Sequence, residues 1–509
     1  MAETKREIER KYEATARTEL PDLTRATGVA SVEDRGVAEL DAVYYDTPGL
    51  RLAADSVTLR RRTGGGDEGW HLKFPVAAGV RDEIRAPLSK SLPTSLAALI
   101  RSRTRTEDIV PVVRLRSSRA VRHLVDADGG LLAEVAVDTV HAERLPKGPK
   151  TSWTEIEVEV ADDADPEILD AVEKRLKKAG ISPSTAASKV AKALAETGEP
   201  APETAHATDG PPSDGDTAGG RVLAYVRKQI EAIVALDPAV RRDLPDSVHQ
   251  MRVACRRLRS AFKSYRKVLD RTVTDPVGDE LKWLAGELGH ARDQEVLHAR
   301  LLGRIEAIPD TLLLGPVRGR LRIWDTARSE DARRTALTAL DSDRHLALLA
   351  ALDALLADPP LRKAAHDDAE RVLARAVLKD YDRLATRVDH ALALRPGHDR
   401  DLATHEARKA AKRARYAAEA ARPGLGKPAK RFAKKVKAVQ SLLGDHQDSV
   451  VARDALRELG IQAHAAGESA FTWGLLHGQE EADGADRERE LPGVWAPASD
   501  PELRAPLTS

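Results

Sequence analysis

Glu155-Ile156-Glu157-Val158-Glu159 alternates carboxylates with β-branched side chains. In a strand, successive side chains point to opposite faces, so three carboxylates fall on one face and two apolar groups on the other. The pattern recurs with other charges. Glu7, Glu9 and Lys11 share a face opposite Ile8 and Arg10; Arg60 pairs with Arg62, His71 with Lys73, and Arg114 with Arg116; Asp138 ends the alternating stretch 134–138. In any one strand such a face is ordinary solvated surface. In a closed barrel all of these faces can point inward, and a lumen of about eight strands holds side chains or one small ligand. Like charges in a dry lumen cost too much. Acids and cations on different strands, with a metal and a polyphosphate between them, would neutralise one another: carboxylates hold a hard divalent ion, and Arg and Lys hold phosphate oxygens.

Strand-like stretches are expected at residues 7–15, 41–46, 56–62, 70–74, 81–86, 112–117, 131–141 and 153–160, separated by turns such as Gly64-Gly65-Gly66. Helical stretches are expected near residues 92–101 and 166–179. The first region, residues 1–197, is therefore read as mainly antiparallel sheet. Residues 198–220 are rich in Pro, Gly, Ala, Asp and Thr without hydrophobic periodicity, and are expected to be a disordered linker. An all-helical region follows at 221–480, and an acidic, Pro-containing flexible tail is expected at 481–509.

The formal net charge of zero conceals an asymmetry. Residues 221–480 carry 47 Lys and Arg against 36 Asp and Glu; residues 1–220 carry 31 against 38, and the last 29 residues carry 3 against 7. A basic region next to an acidic one points to a polyanionic partner for the basic one. With Cys255 as the sole cysteine, no disulfide framework forms within the chain. The charged N-terminus lacks an apolar signal core, and the apolar run 346–357 is too short to span a bilayer, so a cytoplasmic location with no membrane partner is expected.

The basic region has its own periodicity. Met251, Cys255, Leu258, Phe262, Tyr265 and Leu269 define one apolar helix face; Arg252, Arg256, Arg259, Lys263 and Arg266 run beside it, with His249 one turn earlier. No acid falls between Asp246 and Asp270, so the stripe repels itself unless an anion lies along it. The pattern returns 156 residues later as His405, Arg408, Lys412, Arg415 and Arg422, with Glu419 in place of Lys263. Leu288-Gly289-His290-Ala291-Arg292-Asp293 is echoed by Leu443-Gly444-Asp445-His446-Gln447-Asp448. This internal repeat predicts two pseudo-symmetric helical bundles. Lys430, Lys434 and Lys437 form a further basic face. The stripes carry few aromatics for base stacking, which disfavours nucleic acid relative to a featureless phosphate chain.

Glu7-x-Glu9-x-Lys11, Tyr44-Tyr45-Asp46-Thr47-Pro48, Leu59-Arg60-Arg61-Arg62, Trp70-x-x-Lys73 and Glu155-x-Glu157 together resemble, in order, the CYTH family of triphosphate tunnel metalloenzymes. The resemblance implies an eight-stranded antiparallel tunnel that binds Mg²⁺ or Mn²⁺ and a triphosphate-bearing small molecule. Glu7, Glu9, Asp138, Glu155 and Glu157 match the metal side; Lys11, Arg60, Arg62 and Lys73 match the phosphate side, with Arg114 and Arg116 added, although the spacing there also permits Arg119. His249-x-x-Arg252-x-x-x-Arg256-Arg257-x-Arg259, its repeat from His405 and the two Leu-Gly-x-x-x-Asp echoes resemble the CHAD domain, which implies binding of inorganic polyphosphate along a basic channel. His249, Arg252, Arg256, Arg259, Lys263, Arg266, His405, Arg408, Lys412, Arg415, Lys430, Lys434 and Lys437 are the candidate contacts.

The expected function is a metal-dependent triphosphate hydrolase coupled to polyphosphate binding, in the cytoplasm or on polyphosphate granules. Its rivals are a catalytically silent granule adaptor, an adenylate cyclase of the tunnel type, and a nucleic-acid binder. Histidine-based metal binding at His249 or His405 lacks a carboxylate at helical ligand spacing.

Overall fold

The computed structural model describes residues 3–198 and 217–507. The chain divides into two compact units, 1–208 and 209–509.

In the first unit eight strands close into a barrel: β1 (Glu3–Ala14), β2 (Ser31–Asp46), β3 (Thr58–Thr63), β4 (Gly69–Ala77), β5 (Val80–Ala86), β6 (Val110–Val125), β7 (Leu131–Arg144) and β8 (Lys150–Val160). Their order around the barrel is β1-β5-β4-β3-β2-β6-β7-β8, with every pairing antiparallel. All eight expected strands are present. β2 begins ten residues before the expected stretch, because residues 31–40 are polar and largely exposed and so lack an alternation to read. Four helices accompany the barrel: α1 (Arg51–Ala54), α2 (Thr94–Thr104), α3 (Glu167–Lys178) and α4 (Lys189–Glu196).

The barrel is polar inside and apolar outside. Outward-facing Leu59, Trp70, Leu72 and Ile84 pack against Leu96, Leu99 and Ile100 of α2. Tyr12, Val135, Ile156 and Val158 pack against Ile168, Leu169, Val172 and Leu176 of α3. An apolar outer wall requires such a helical cover, since each strand has only one face for the core. One end of the lumen is also apolar. There Ala42, Tyr44, Leu115, Val140 and Ala142 meet Val190, Ala193 and Leu194 of α4, which closes it. Ser188 caps α4 by accepting from the Ala191 backbone N–H.

The second unit is helical: α5 (Ala218–Arg241), α6 (Ser247–Ser264), α7 (Arg271–Glu287), α8 (Gly289–Ala307), α9 (Val317–Asp341), α10 (Asp343–Ala357), α11 (Ala369–Ala393), α12 (His398–Ala465), α13 (Phe471–Ser499) and α14 (Pro501–Arg504). α12 is kinked at Gly426, whose φ of 59° favours glycine. The repeat is visible in side-chain contacts. Arg252 donates to the Gly289 carbonyl at 3.2 Å and to Asp293 at 2.9 Å, while Arg408 lies 3.6 Å from Asp448. At Gly289 and Gly444 an added Cβ would lie 3.2 Å and 3.5 Å from these same two guanidinium groups.

Two boundary expectations change. Residues 199–216 of the expected linker lie outside the described residues, and Ala218, Gly219 and Gly220 are already the first turn of α5. The expected flexible tail is helical over residues 481–499, in α13, and again over Pro501–Arg504, α14. Leu491, Trp495, Ala498, Leu503 and Leu507 join the main helical core, an apolar set masked in sequence by the surrounding acids and by Pro492 and Pro497. Trp495 stacks on Tyr381 with ring centroids 6.0 Å apart. Trp495→Ala is expected to cost about 3–5 kcal/mol of helical-unit stability, read as a lowered unfolding midpoint by calorimetry.

Candidate active site and polyanion-binding face

A cavity of about 350 Å³ occupies the barrel lumen. The charged groups on and behind its wall are segregated. Asp138, Glu155 and Glu157 lie on β7 and β8; Arg60, Arg62 and Lys73 lie on β3 and β4, diametrically across the strand order.

At the acidic pole, Asp138 is in register with Glu155, and Ala136 with Glu157. All three carboxylates are buried, and each offers an oxygen within 4.8 Å of the others. The Lys189 ammonium, at the first turn of α4, sits among them: 3.0 Å from Asp138, 2.8 Å from Glu155 and 2.5 Å from Glu157. Burial opposes its charge, but these three acids raise its pKa above the ordinary value. Arg119 donates to Asp138 through Nε at 2.8 Å and Nη2 at 2.7 Å, and to Glu157 at 2.5 Å. Lys11 contacts Glu157 and lies 3.2 Å from Glu9. Burial pushes the Glu157 carboxyl up, yet Lys11, Lys189 and Arg119 bring it well below the usual range, so it is ionised.

At the basic pole, Lys73 contacts Glu7 at 2.5 Å and Glu83 at 3.4 Å. Arg60 reaches the Tyr44 hydroxyl at 3.4 Å and Glu83 at 3.8 Å, and Arg62 pairs with Asp67. Fully buried Glu83 lies 2.9 Å from His71 Nδ1, and the other ring nitrogen lies 2.9 Å from the Asp67 carbonyl. Burial, against the Glu83 contact, brings the His71 pKa down to about 4, so the ring is neutral near pH 7. The buried Nε atoms of Arg60 and Arg62 lack a hydrogen-bond acceptor. Buried donors of this kind are normally satisfied, so they suit an anion with several oxygens.

Glu7, Glu9, Lys11, Arg60, Arg62, Lys73 and Glu157 all line the lumen. Asp138 and Glu155 are buried against Lys189 and are not on the cavity wall, and Arg114 and Arg116 do not line it either. Both point outward; Arg114 holds Asp41 in a two-pronged pair, and Arg116 lies 3.7 Å from the same carboxylate. The inward face of β6 carries odd-numbered residues, Leu115 and Ser117 among them, so Arg119 is its inward cation. Two further residues went unread. Glu83 lies in Arg81-Asp82-Glu83-Ile84-Arg85, where acids fall on both faces and blur the alternation. Lys189 lies in a short helix, and its only local signal is the Ser188 cap.

In the helical unit, half-buried Lys412 on α12 feels the like charges of Arg408, Arg256 and Arg252, with Asp448 the opposing acid. The two stripes thus converge where α6 meets α12. Small, fully buried Ala407, Ala411, Ala414 and Ala418 accompany this approach, and the Tyr265 hydroxyl donates to the Ala417 carbonyl at 2.7 Å. Burial and these cations bring Lys412 down to about 7. His249 and His405 are half-buried, and burial lowers both below the ordinary imidazole value; His405 Nδ1 lies 2.5 Å from Gln447. Among the described residues neither histidine belongs to a potential metal-ligand group. Arg259 and Lys263 continue along α6, Arg266 lies in the turn that follows it, Arg415 turns to Glu419 at 3.3 Å, and Lys430, Lys434 and Lys437 are exposed.

The barrel with its charge-divided lumen defines a triphosphate tunnel metalloenzyme type of domain, and the chain matches the CYTH domain over residues 5–194 and the CHAD domain over residues 224–457. The chain belongs to the CYTH–CHAD domain proteins. Two uncharacterized proteins of Mycobacterium tuberculosis, from strains CDC 1551 and H37Rv, are each 38% identical over 503 residues, covering 95% of this chain and 94% of theirs. PptA from Streptomyces chartreusis aligns with 55% of this chain and 99% of its own at 22% identity, TM-score 0.48. The CHAD domain from the plant Ricinus communis aligns with 57% of this chain and 93% of its own at 28% identity, TM-score 0.45. No helix among the described residues is long and apolar enough to cross a membrane.

The CYTH family implies a divalent metal, and the donor set fits one: three buried carboxylates with converging oxygens, offset here by a lysine. Lys189→Met removes that compensating charge. In the presence of EDTA the variant is expected to lose about 3 kcal/mol of barrel stability. Mn²⁺ is expected to restore much of it, with metal affinity by calorimetry raised about tenfold over the parent.

Proposed function

We propose that the tunnel hydrolyses a phosphoanhydride bond of a triphosphate-bearing substrate with Mg²⁺ or Mn²⁺, and that the CHAD domain holds inorganic polyphosphate. The observation that carries the first part is the division of the lumen into an acidic and a basic pole. Asp138, Glu155 and Glu157 would hold the metal, with Glu9 and Glu7 on the adjoining β1. When bound, the ion offsets charge on phosphate oxygens and lowers the pKa of a coordinated water. Arg60, Arg62 and Lys73 take the phosphate oxygens, and the unsatisfied Nε donors of the two arginines supply directed hydrogen bonds. Glu83 holds Lys73 and Arg60 toward the lumen, while burial, against the Glu83 contact, keeps the neighbouring His71 uncharged. Lys11 and Arg119 pair with the acidic pole, keeping its carboxylates ionised without metal.

Tyr44 is the one aromatic side chain among the described residues of the cavity wall. A nucleoside base therefore finds little to stack on, which favours phosphate-chain hydrolysis over the cyclase reading. The second part rests on the converging stripes. Arg256 and Lys412 have no carboxylate within ion-pair distance among the described residues, and the buried Arg256 Nε lacks an acceptor. Uncompensated cations at regular helical spacing suit a polyanion without base-specific features.

With tripolyphosphate and Mn²⁺, Glu157→Gln and Arg60→Ala are each expected to lower turnover by about 100-fold or more. Unaltered turnover in both would leave the tunnel a silent binding module. Arg256→Ala is expected to weaken polyphosphate binding about tenfold, and short RNA at equal phosphate concentration should fail to displace the polymer.

Lys412 sets a pH dependence. Its lowered pKa, about 7, leaves it partly neutral in the free protein, and a bound polyanion favours its protonated form. Binding therefore takes up a proton, and affinity should fall as pH rises from 6 through 8. Lys412→Arg, charged throughout, should flatten that slope in a fluorescence titration.

A further inference from the structure

The repeat of the helical unit is broken at one turn. Lys263 on α6 and Glu419 on α12 occupy matching positions, each fourteen residues after its histidine. The two surroundings differ in kind.

Beside Lys263 lies a cavity of about 430 Å³ walled by α6, α7, α11 and α12, to which Arg259, Lys263, Arg266, Arg271, Arg383 and Arg413 contribute. Its two acids, Asp275 and Asp279, leave the wall strongly basic. Asp275 is taken by Arg271 at 2.5 Å, and Arg413 is held by Asp380 at 2.8 Å. Among the described residues, Arg259, Lys263, Arg266 and Arg383 have no carboxylate within ion-pair distance, and the buried Nε of Arg259 has no acceptor. Burial, followed by the charges of Arg259 and Arg413, lowers the Lys263 pKa, as expected where cations crowd without enough acid.

Beside Glu419 the cations are already engaged. Arg257 donates through Nε at 3.1 Å, and Arg415 lies at 3.3 Å. Both guanidinium groups also lie against the Tyr416 ring, at 5.7 Å and 4.6 Å from its centroid. A carboxylate at this turn repels a passing phosphate chain and occupies the arginines that would have received it.

We propose that the phosphate-chain track of this CHAD domain is one-sided: from the meeting of Arg256 and Lys412 it continues along α6 into the cavity of Lys263, Arg266 and Arg383, and Glu419 closes the matching exit on α12. The inference rests on polyphosphate binding by the domain and adds its direction and two determinants, Arg383 and Glu419. A chain long enough to pass the meeting point gains contacts at one end only.

The test uses the full-length protein and two linear inorganic polyphosphates, one short enough to occupy only the Arg256–Lys412 region and one several times longer. Affinity and its salt dependence are measured for each. Arg383 is exposed, so Arg383→Ala is expected to fold normally. It should lower affinity for the long chain about fivefold more than for the short one, and reduce the long-chain salt slope by about one. Glu419→Gln should raise long-chain affinity about threefold, because the repulsion is gone and Arg257 is released. Equal losses on both lengths for Arg383→Ala, or a long-chain affinity unmoved by Glu419→Gln, would overturn the one-sided track. Failure of the parent protein to bind either length overturns instead the polyphosphate reading beneath it.

Discussion

Opposite charges facing each other across a closed barrel are the interaction on which the first unit depends. Asp138, Glu155 and Glu157 form one pole, while Arg60, Arg62 and Lys73 form the other. Neither set could be buried alone, since uncompensated charges in a low-dielectric interior cost several kcal/mol each. Lys189, Arg119 and Lys11 compensate the acids, and Glu83 and Glu7 compensate the cations. The apolar residues excluded from the lumen must face outward. The helical cover of α2 and α3 and the plug of α4 are therefore consequences of the same choice.

The second unit meets a related problem differently. Its cations lie on helices that pack through small residues, so two basic stripes come together without a matching set of acids. Asp293 and Asp448 hold one arginine each, at equivalent positions of the repeat. Glu419 and Asp380 engage Arg257, Arg415 and Arg413; Arg256, Arg259, Lys263 and Lys412 are left without a carboxylate partner among the described residues, and burial with neighbouring cations lowers Lys412 to about 7. Both units thus retain unsatisfied cationic donors, the barrel within its lumen and the helical unit along α6.

Much of this was legible in the chain. The period-two alternation in eight stretches specified strands, and charge on the alternating face singled out Glu7, Glu9, Lys11, Arg60, Arg62, Lys73, Glu155 and Glu157. The period of 3.6, the repeat at 156 residues and the Gly-Asp echoes specified paired helical bundles. What escaped was positional. Arg114 and Arg116 alternate as well as Arg119 does, and only the pairing of β6 with β2 and β7 decides which parity faces inward. Residues 481–507 looked like a tail because Leu491, Trp495 and Leu503 are too sparse for a clear period, yet they complete an existing core.

By itself the sequence determined which residue types alternate, repeat and punctuate, and hence two units of different class with a charged face in each. That information is local: it depends on backbone geometry within a strand or a helix. The tertiary structure decided which charges meet. Lys189 comes from a short helix and Glu83 from an ambiguous strand, yet each ends at the centre of a charge cluster. Barrel closure and helix packing bring together groups distant in sequence, and electrostatic energy depends on their separation in space and on burial.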